Sequence, residues 1–294
     1  MAAVAPSRYT RPAPPPARAR WRRDGWGSTA IGTVLVLLYL FPVFWMVSTS
    51  LKSQADIFAD PPKIFPSPVD FGAYREAVID NPAVLRAIRS SLIVSLGTMA
   101  LTVVLAAPAA YALARLRLRG GSLVVLLLLI TQLLPSIVIA GPLFVVFSDL
   151  GLVNSYPALI LADATITLPF AVIILRPFFL SVPRELEAAA QVDGSSGFGA
   201  FWGIVLPLVR PGLITVAVFA FLFTWGEFVF ALSLNVNEDI QPITVALNKF
   251  IGQYGTQWNN LMAVATTVAL PIIAVFAGLQ RFVVGGLTSG ATKE

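Results

Sequence analysis

Glu187-Ala-Ala-Ala-Gln-Val-Asp193-Gly194, nine further residues and then Ile204-Val-Leu206-Pro207 form the stretch of this sequence richest in chemistry. It is polar, punctuated by glycine and set between two long apolar runs. Two short helices are expected, over 182–194 and 195–209, with a glycine corner between them. Such a hairpin is too charged for lipid and too short for a domain of its own. It reads as a docking element presented to a soluble partner. Phe198, Phe201, Trp202 and Val205 recur at i, i+3, i+4 and i+7, which gives the second helix one apolar face. Ser195 or Ser196 can cap that helix, and Gly194 supplies the positive φ that ends the first. An interfacial helix lying among headgroups would use Phe and Trp in the same way, but would not call for the spacing from Gly194 to Ile204, Leu206 and Pro207.

Glu227 is the second position of interest, an acid well inside an apolar run. A carboxylate in hydrocarbon costs about 3 kcal/mol on insertion scales, so it should face the bundle interior or a watered path. It could bond a partner helix, wall a translocation pathway or relay protons. A relay would want a second titrating group, and its own helix offers none. Gln132, Ser136, Asp163, Thr165, Thr167 and Asn235 are polar positions that could line a path for a hydroxyl-rich solute. Interhelical bonding worth about 0.6 kcal/mol per pair accounts for each equally well. Gly194-Ser-Ser-Gly197-Phe-Gly199 suggests a phosphate cradle, but no Gly-Lys-Ser/Thr follows it, so it reads as a turn. With neither His nor Cys in the chain, His-based acid–base catalysis, thiolate chemistry and His/Cys metal sites are excluded. No cofactor, metal or catalytic group is expected, and any energy source must be a separate protein.

The elements that would position these residues are membrane helices. Apolar residues make up 57% of the chain and charged ones 12%, and the mean hydropathy is +0.81; an ordinary soluble domain carries about 25% charge. Six apolar runs, near 28–50, 88–114, 122–147, 156–180, 211–234 and 260–284, meet the roughly 20 residues needed to cross a bilayer. Most contain proline (Pro42, Pro108, Pro135, Pro142, Pro169, Pro271), which spanning helices tolerate. With both termini in the cytoplasm, the inside holds Arg8, Arg11, Arg18, Arg20, Arg22, Arg23, Arg115, Arg117, Arg119, Arg176, Arg184, Arg210, Arg281 and Lys293. The outside keeps only Lys52, Lys63, Arg75, Arg86, Arg89 and Lys249, as the positive-inside rule favours. A pI near 9.8 therefore reflects topology, and no nucleic-acid partner is called for.

Residues 1–26 combine arginine with proline and are expected to form a disordered basic cytoplasmic tail. Residues 27–290 form the membrane domain, and 291–294 a short cytoplasmic end. Phe71-Gly-Ala-Tyr74 and the four residues after it suggest a short amphipathic helix in the longest exterior loop. No internal repeat supports an inverted-repeat carrier.

The segment 182–209 closely resembles the cytoplasmic coupling segment of ATP-binding-cassette (ABC) importer permeases, whose pattern runs Glu-Ala-Ala, three residues, Gly, nine residues, Ile-x-Leu-Pro. Gly194, Ile204, Leu206 and Pro207 match. The family's acid falls on Ala188, and Glu187 stands one position early. Phe41-Pro-Val-Phe-Trp45 through Ser50-Leu-Lys52, Ser90-Ser-Leu-Ile-Val-Ser95, Ala107-Pro-Ala-Ala-Tyr-Ala-Leu-Ala-Arg115, Thr224-Trp-Gly-Glu-Phe228 and Gly286-Leu-Thr-Ser-Gly-Ala291 extend the likeness over nearly the whole chain. The family is that of binding-protein-dependent transport inner-membrane components, here the carbohydrate-type importer permeases similar to the maltose importer's smaller one. The resemblance implies an all-α polytopic membrane protein of six transmembrane helices, with the coupling helices between spans 4 and 5. It implies coupling to an ATPase through Glu187, Ala188, Ala189, Asp193, Gly194, Phe198, Phe201, Trp202, Ile204, Leu206 and Pro207. Through Trp225-Gly-Glu-Phe228, similar to the family's Trp-Asn-Glu-Phe, it favours Glu227 facing the pathway or the partner permease, and Gln132 and Asn235 are candidates for the same surface by their polarity. The implied partners are a second permease in a heterodimer, two ABC ATPase subunits that hold ATP and Mg, an extracytoplasmic solute-binding protein and lipid. The implied function is ATP-driven import of a mono- or oligosaccharide through the cell membrane. The alternatives are a non-sugar solute such as glycerol phosphate, an ion-coupled carrier, or an intramembrane enzyme, for which Glu227 would need a partner carboxylate.

Overall fold

A computed structural model describes residues 25–116, 118–252 and 257–291, so residues 1–24 of the expected basic tail and the last three residues lie outside the described residues, while Gly25 and Trp26, expected in the tail, open the first helix. Every regular element among the described residues is helical. Apart from short turns of helix within 54–79 and 238–240, they are in chain order α1 (Gly25–Ser50), α2 (Pro82–Arg115), α3 (Gly121–Thr131), α4 (Ser136–Asp149), α5 (Tyr156–Ser181), α6 (Arg184–Val192), α7 (Gly197–Leu208), α8 (Arg210–Gly226), α9 (Val229–Leu234), α10 (Ile243–Gly252) and α11 (Trp258–Ala291). Helices α1, α2, α5 and α11 are long and apolar enough to cross a membrane, and counting two bent pairs as spans raises the number to six. This is a multi-pass membrane protein. The chain divides into two compact units, residues 1–44 and 45–294. In the first, the side chains of α1 such as Leu38 and Tyr39 are exposed. The second holds everything discussed below.

Two expected spans are interrupted. The run 122–147 is two helices, α3 and α4, bent by 101°. Pro135 explains the break, because it lacks an N–H and restricts the residue before it. The run 211–234 stops at Gly226, Glu227 is extended at ψ 132°, and the helix restarts at Val229. The bent pair that includes α8 is instead α7 with α8, at 76°. The short helix expected after Phe71 is present, turning Ala73, Ala77 and Val78 inward.

Small residues set the centre of the second unit. Ser91, Ser95, Thr98, Thr102, Ala106, Ala110 and Ala114 follow one another every three or four residues along α2, and all are buried. They make one face, which meets Ala158, Ala162, Thr167 and Ala171 of α5. Small side chains let two backbones approach closely where no hydrophobic drive separates helix from lipid. The Thr102 and Thr167 hydroxyls bond across the seam at 2.7 Å, and those of Ser90 and Tyr156 at 3.0 Å. Both helices begin on capping side chains: Asn81 accepts from the N–H groups of Ala83 and Val84, and Ser155 from that of Ala158. Helix α8 closes on α5 at Gly212, where a Cβ would fall 2.7 Å from the Phe178 ring.

Candidate functional site

The hairpin between α5 and α8 has the expected form. Helix α6 ends at Val192, and the chain turns through Gly194 at φ +90°. Ser196 then caps α7 by accepting the Gly199 N–H at 3.1 Å. Within α7 the Leu206 N–H bonds to the Phe201 carbonyl, five residues back. This widened turn keeps Phe201, Val205 and Val209 on one buried stripe. The expected single apolar face is thereby divided. Phe201 packs inward, its ring 4.8 Å from Tyr111 and 6.3 Å from Phe179. Phe198 and Trp202 point outward at 73% and 54% exposure, with ring centroids 6.0 Å apart. Val192, on the other arm, is 87% exposed. Ala188, Ala189, Asp193 and Gly194 are also exposed, and Ile204, Leu206 and Pro207 are half-buried.

Glu187 departs from the rest of its motif. Its side chain turns into the bundle, where one carboxylate oxygen lies 2.9 Å from Arg115 Nε and the other accepts from the Tyr111 hydroxyl at 2.9 Å. The Arg115 and Glu187 side chains are 6% and 14% exposed. Arg115 also donates through Nη2 to the carbonyl of Val182, where α5 ends. The contact between Nε and the carboxylate is an ion pair without an aligned hydrogen bond, and the hydrogen bonds from Tyr111 to Glu187 and from Arg115 to Val182 help offset the burial of the two charges. Tyr111 and Arg115 were not among the expected site residues. Their signal was the i, i+4 spacing at the end of α2, which puts both on one face.

At the other interruption, Glu227 caps a helix. Its carboxylate accepts from the N–H groups of Phe230 at 3.0 Å and Ala231 at 3.2 Å, at the start of α9. The Thr244 hydroxyl donates to its backbone carbonyl at 2.7 Å. This is a use within its own chain, distinct from the three considered above. A second carboxylate does stand nearby, on another helix: Asp163 of α5, 3% exposed, faces the same small cavity. The cavity holds about 10 Å³, the size of one water, and Ser91, Val94, Leu159, Thr224, Ala231 and Pro242 complete its walls. Gln132 and Asn235 are not brought to it. Gln132 donates to the Ile166 carbonyl from the break between α3 and α4. Asn235 is buried, donating to the Ile240 carbonyl and accepting the Asn237 N–H. Each side chain bonds to backbone in its own chain. Among the described residues there is no cluster of three or more Asp or Glu that could hold a metal.

Membrane-length helices, one break over a small polar cavity and a capped hairpin set against the bundle accord with a membrane transport subunit, the class to which the family match assigns the chain. Residues 102–288 match the family described as "Binding-protein-dependent transport system inner membrane component", and the chain belongs to it. It is 35% identical to the sulfoquinovosyl glycerol transport system permease protein of Agrobacterium fabrum, over 89% of this chain and 91% of that one. It is 37% identical to the trehalose transport system permease protein of Mycobacterium tuberculosis, over 90% and 96% of the two chains. Its fold matches a chain in the crystal structure of a bacterial ABC transporter involved in the import of the acidic polysaccharide alginate. That match has a TM-score of 0.78 at 22% identity and covers 91% of this chain and 99% of that one.

Proposed function

We propose that this chain is the permease subunit of an ATP-driven importer. It receives a sugar from an extracytoplasmic solute-binding protein and passes it across the cytoplasmic membrane by alternating access, a population shift between two openings of the bundle. The observation that carries the reading is the hairpin 182–209. Its outward face offers Phe198, Trp202 and Val192 around an exposed Gly194 corner, while its inward face is fixed by Phe201 and Glu187. Exposed aromatics flanking a turn, on a base that cannot swivel, suit a rigid partner that pushes. The partner is an ABC ATPase subunit, which binds ATP and Mg; a second such subunit and a second permease complete the assembly. This chain contributes no cofactor and no catalytic group. The relatives named for sulfoquinovosyl glycerol and trehalose support a glycoside as the solute. The hairpin lies in the cytoplasm, as do both termini.

A proton-coupled carrier is the reading this one must beat, because Asp163 lies near Glu227. The remaining walls of their cavity carry no titratable side chain, so a proton has no onward station there. The test uses the assembled importer in vesicles with ATP enclosed and any pH gradient collapsed by an ionophore. Uptake of the sugar held by the solute-binding protein should continue. Uptake that requires the gradient and ignores ATP overturns the proposal. Orientation has a separate check in this cysteine-free chain. Cysteines placed at the exposed Ser196 and Glu76 should be labelled by an impermeant thiol reagent from opposite sides; labelling of both from outside defeats the topology.

A further inference from the structure

We infer that Glu187 is a positioning residue, one that ties the hairpin to α2 and to the end of α5 and makes no contact with the ATPase. The inference rests on the docking reading of the hairpin and assigns one residue within it. Successive residues on a helix are turned by about 100°, so the orientation of Glu187 fixes that of its neighbours. With Glu187 inward, Ala188 and Ala189 are exposed and Ala190 is buried. The acid is therefore absent from the outward face, where a partner would meet two methyl groups.

Inward, the acid meets three things at once. Arg115 gives it a charge partner from α2, and the same guanidinium holds the Val182 carbonyl at the end of α5. Tyr111, one turn earlier on α2, donates to its second oxygen. The Tyr111 ring also lies against Phe201 of α7 and, edge-on at 5.7 Å, against Phe179 of α5. Two side chains of α2 thus grip both arms of the hairpin, one by charge and one by ring packing. Four elements meet at this point: α2, α5, α6 and α7. A displacement of the hairpin is carried into α2 and α5, the two helices that form the central seam.

A residue that merely supported folding would change the amount of importer and leave its stoichiometry alone. The measurement is accordingly the number of solute molecules imported per ATP hydrolysed, in the assembled complex in vesicles. Glu187→Gln keeps an acceptor for Tyr111 and removes the charge; the ratio should fall about five-fold while all subunits still co-purify. Arg115→Glu should do at least as much damage. The exchange Arg115→Glu with Glu187→Arg should recover a substantial part of the ratio, because the pair is restored in reverse. Tyr111→Phe deletes one hydroxyl from an otherwise intact ring and should lower the ratio about two-fold, which keeps the test open if the charge variants do not accumulate. Loss of the ATPase subunits from Glu187→Gln, with Arg115→Gln unaffected, would mean that the acid contacts the ATPase, and would overturn the inference. So would an unchanged ratio in Glu187→Gln and Tyr111→Phe. The docking reading is checked apart from this: a cysteine at Trp202 should crosslink to the ATPase subunit, and failure there removes the docking reading whatever Glu187 does.

Discussion

The hairpin 184–208 and the break around 226–243 look alike in the sequence. Each sets an acid, glycine and aromatic residues into an apolar context. Their structures differ in where the loose ends go. At the break the buried polar side chains turn inward: Glu227 caps α9, Asn235 and Gln241 bond neighbouring backbone, and the Ser91 hydroxyl accepts the Ile243 N–H at 2.9 Å. Its aromatic residues are closed away, with Trp225 and Phe230 buried and Phe228 half-buried, and its exposed apolar side chains, Leu232 and Val236, are aliphatic. The hairpin satisfies its acid internally and yet leaves Val192, Phe198 and Trp202 exposed. Exposed aromatics concentrated on a charged segment mark a contact surface more surely than an acid does, since the acid can be consumed by its own chain.

The comparison breaks most sharply at two neighbouring rings. Phe201→Ala empties a site between Tyr111 and Phe179 and should destabilise the protein by about 3 kcal/mol, at the low end for a buried phenylalanine. Phe198→Ala removes an exposed ring and should change stability by less than about 0.5 kcal/mol, while weakening association with the ATPase. Thermal unfolding of the assembled importer in detergent reads the first effect, and retention of the ATPase subunits on washing reads the second. Equal losses of stability from the two changes would mean that the division of the hairpin into inner and outer faces is wrong.

Much of this was legible in the sequence. The membrane class, the Gly194 corner and the Ser196 cap follow from hydropathy and local chemistry, which operate over a few residues. The two breaks were not legible, because periodicity sees the apolar run 211–234 as continuous and cannot tell that Glu227 captures the next turn's N–H groups. The inward turn of Glu187 was hidden for a related reason: its partners Arg115 and Tyr111 lie more than seventy residues away. Arg115 in particular reads as one more positive-inside charge. Asp163 on α5 and Glu227 in the break between α8 and α9 are brought together only by the packing of α5 against α8 and α9. Signals that depend on two distant segments meeting are what a single sequence withholds.

Glu227 gives the next largest effect, and it sharpens the closed half of the comparison. Glu227→Leu leaves the Phe230 and Ala231 N–H groups without their acceptor in a buried place, at a cost of about 2 kcal/mol. Glu227→Gln still offers one carbonyl oxygen to the cap and should lose less than half of that. Unfolding midpoints of the two variants decide the matter. If Gln is as damaging as Leu, the negative charge matters and the capping account fails.

Gly194 should show the smallest effect on stability and the clearest effect on function. A Cβ added there meets nothing within 4 Å, so sterics with neighbours play no part and only its φ of +90° resists substitution. Left-handed backbone costs an ordinary residue about 1–2 kcal/mol, most for β-branched side chains and least for asparagine. A residue bonded to the other region already adopts such a conformation: Asn154, before α5, holds φ +61° while its side chain accepts the N–H groups of Val236 and Asn237. Gly194→Asn should therefore keep the corner and most of the uptake. Gly194→Val should open it, shift α7 relative to α6 and lower sugar uptake sharply, although the chain still inserts and its core is intact. Membrane-fraction immunoblots and ATP-driven uptake, run on both variants, separate the two effects. Normal uptake by the valine variant would show that the corner's conformation is not what presents Phe198 and Trp202 to the partner.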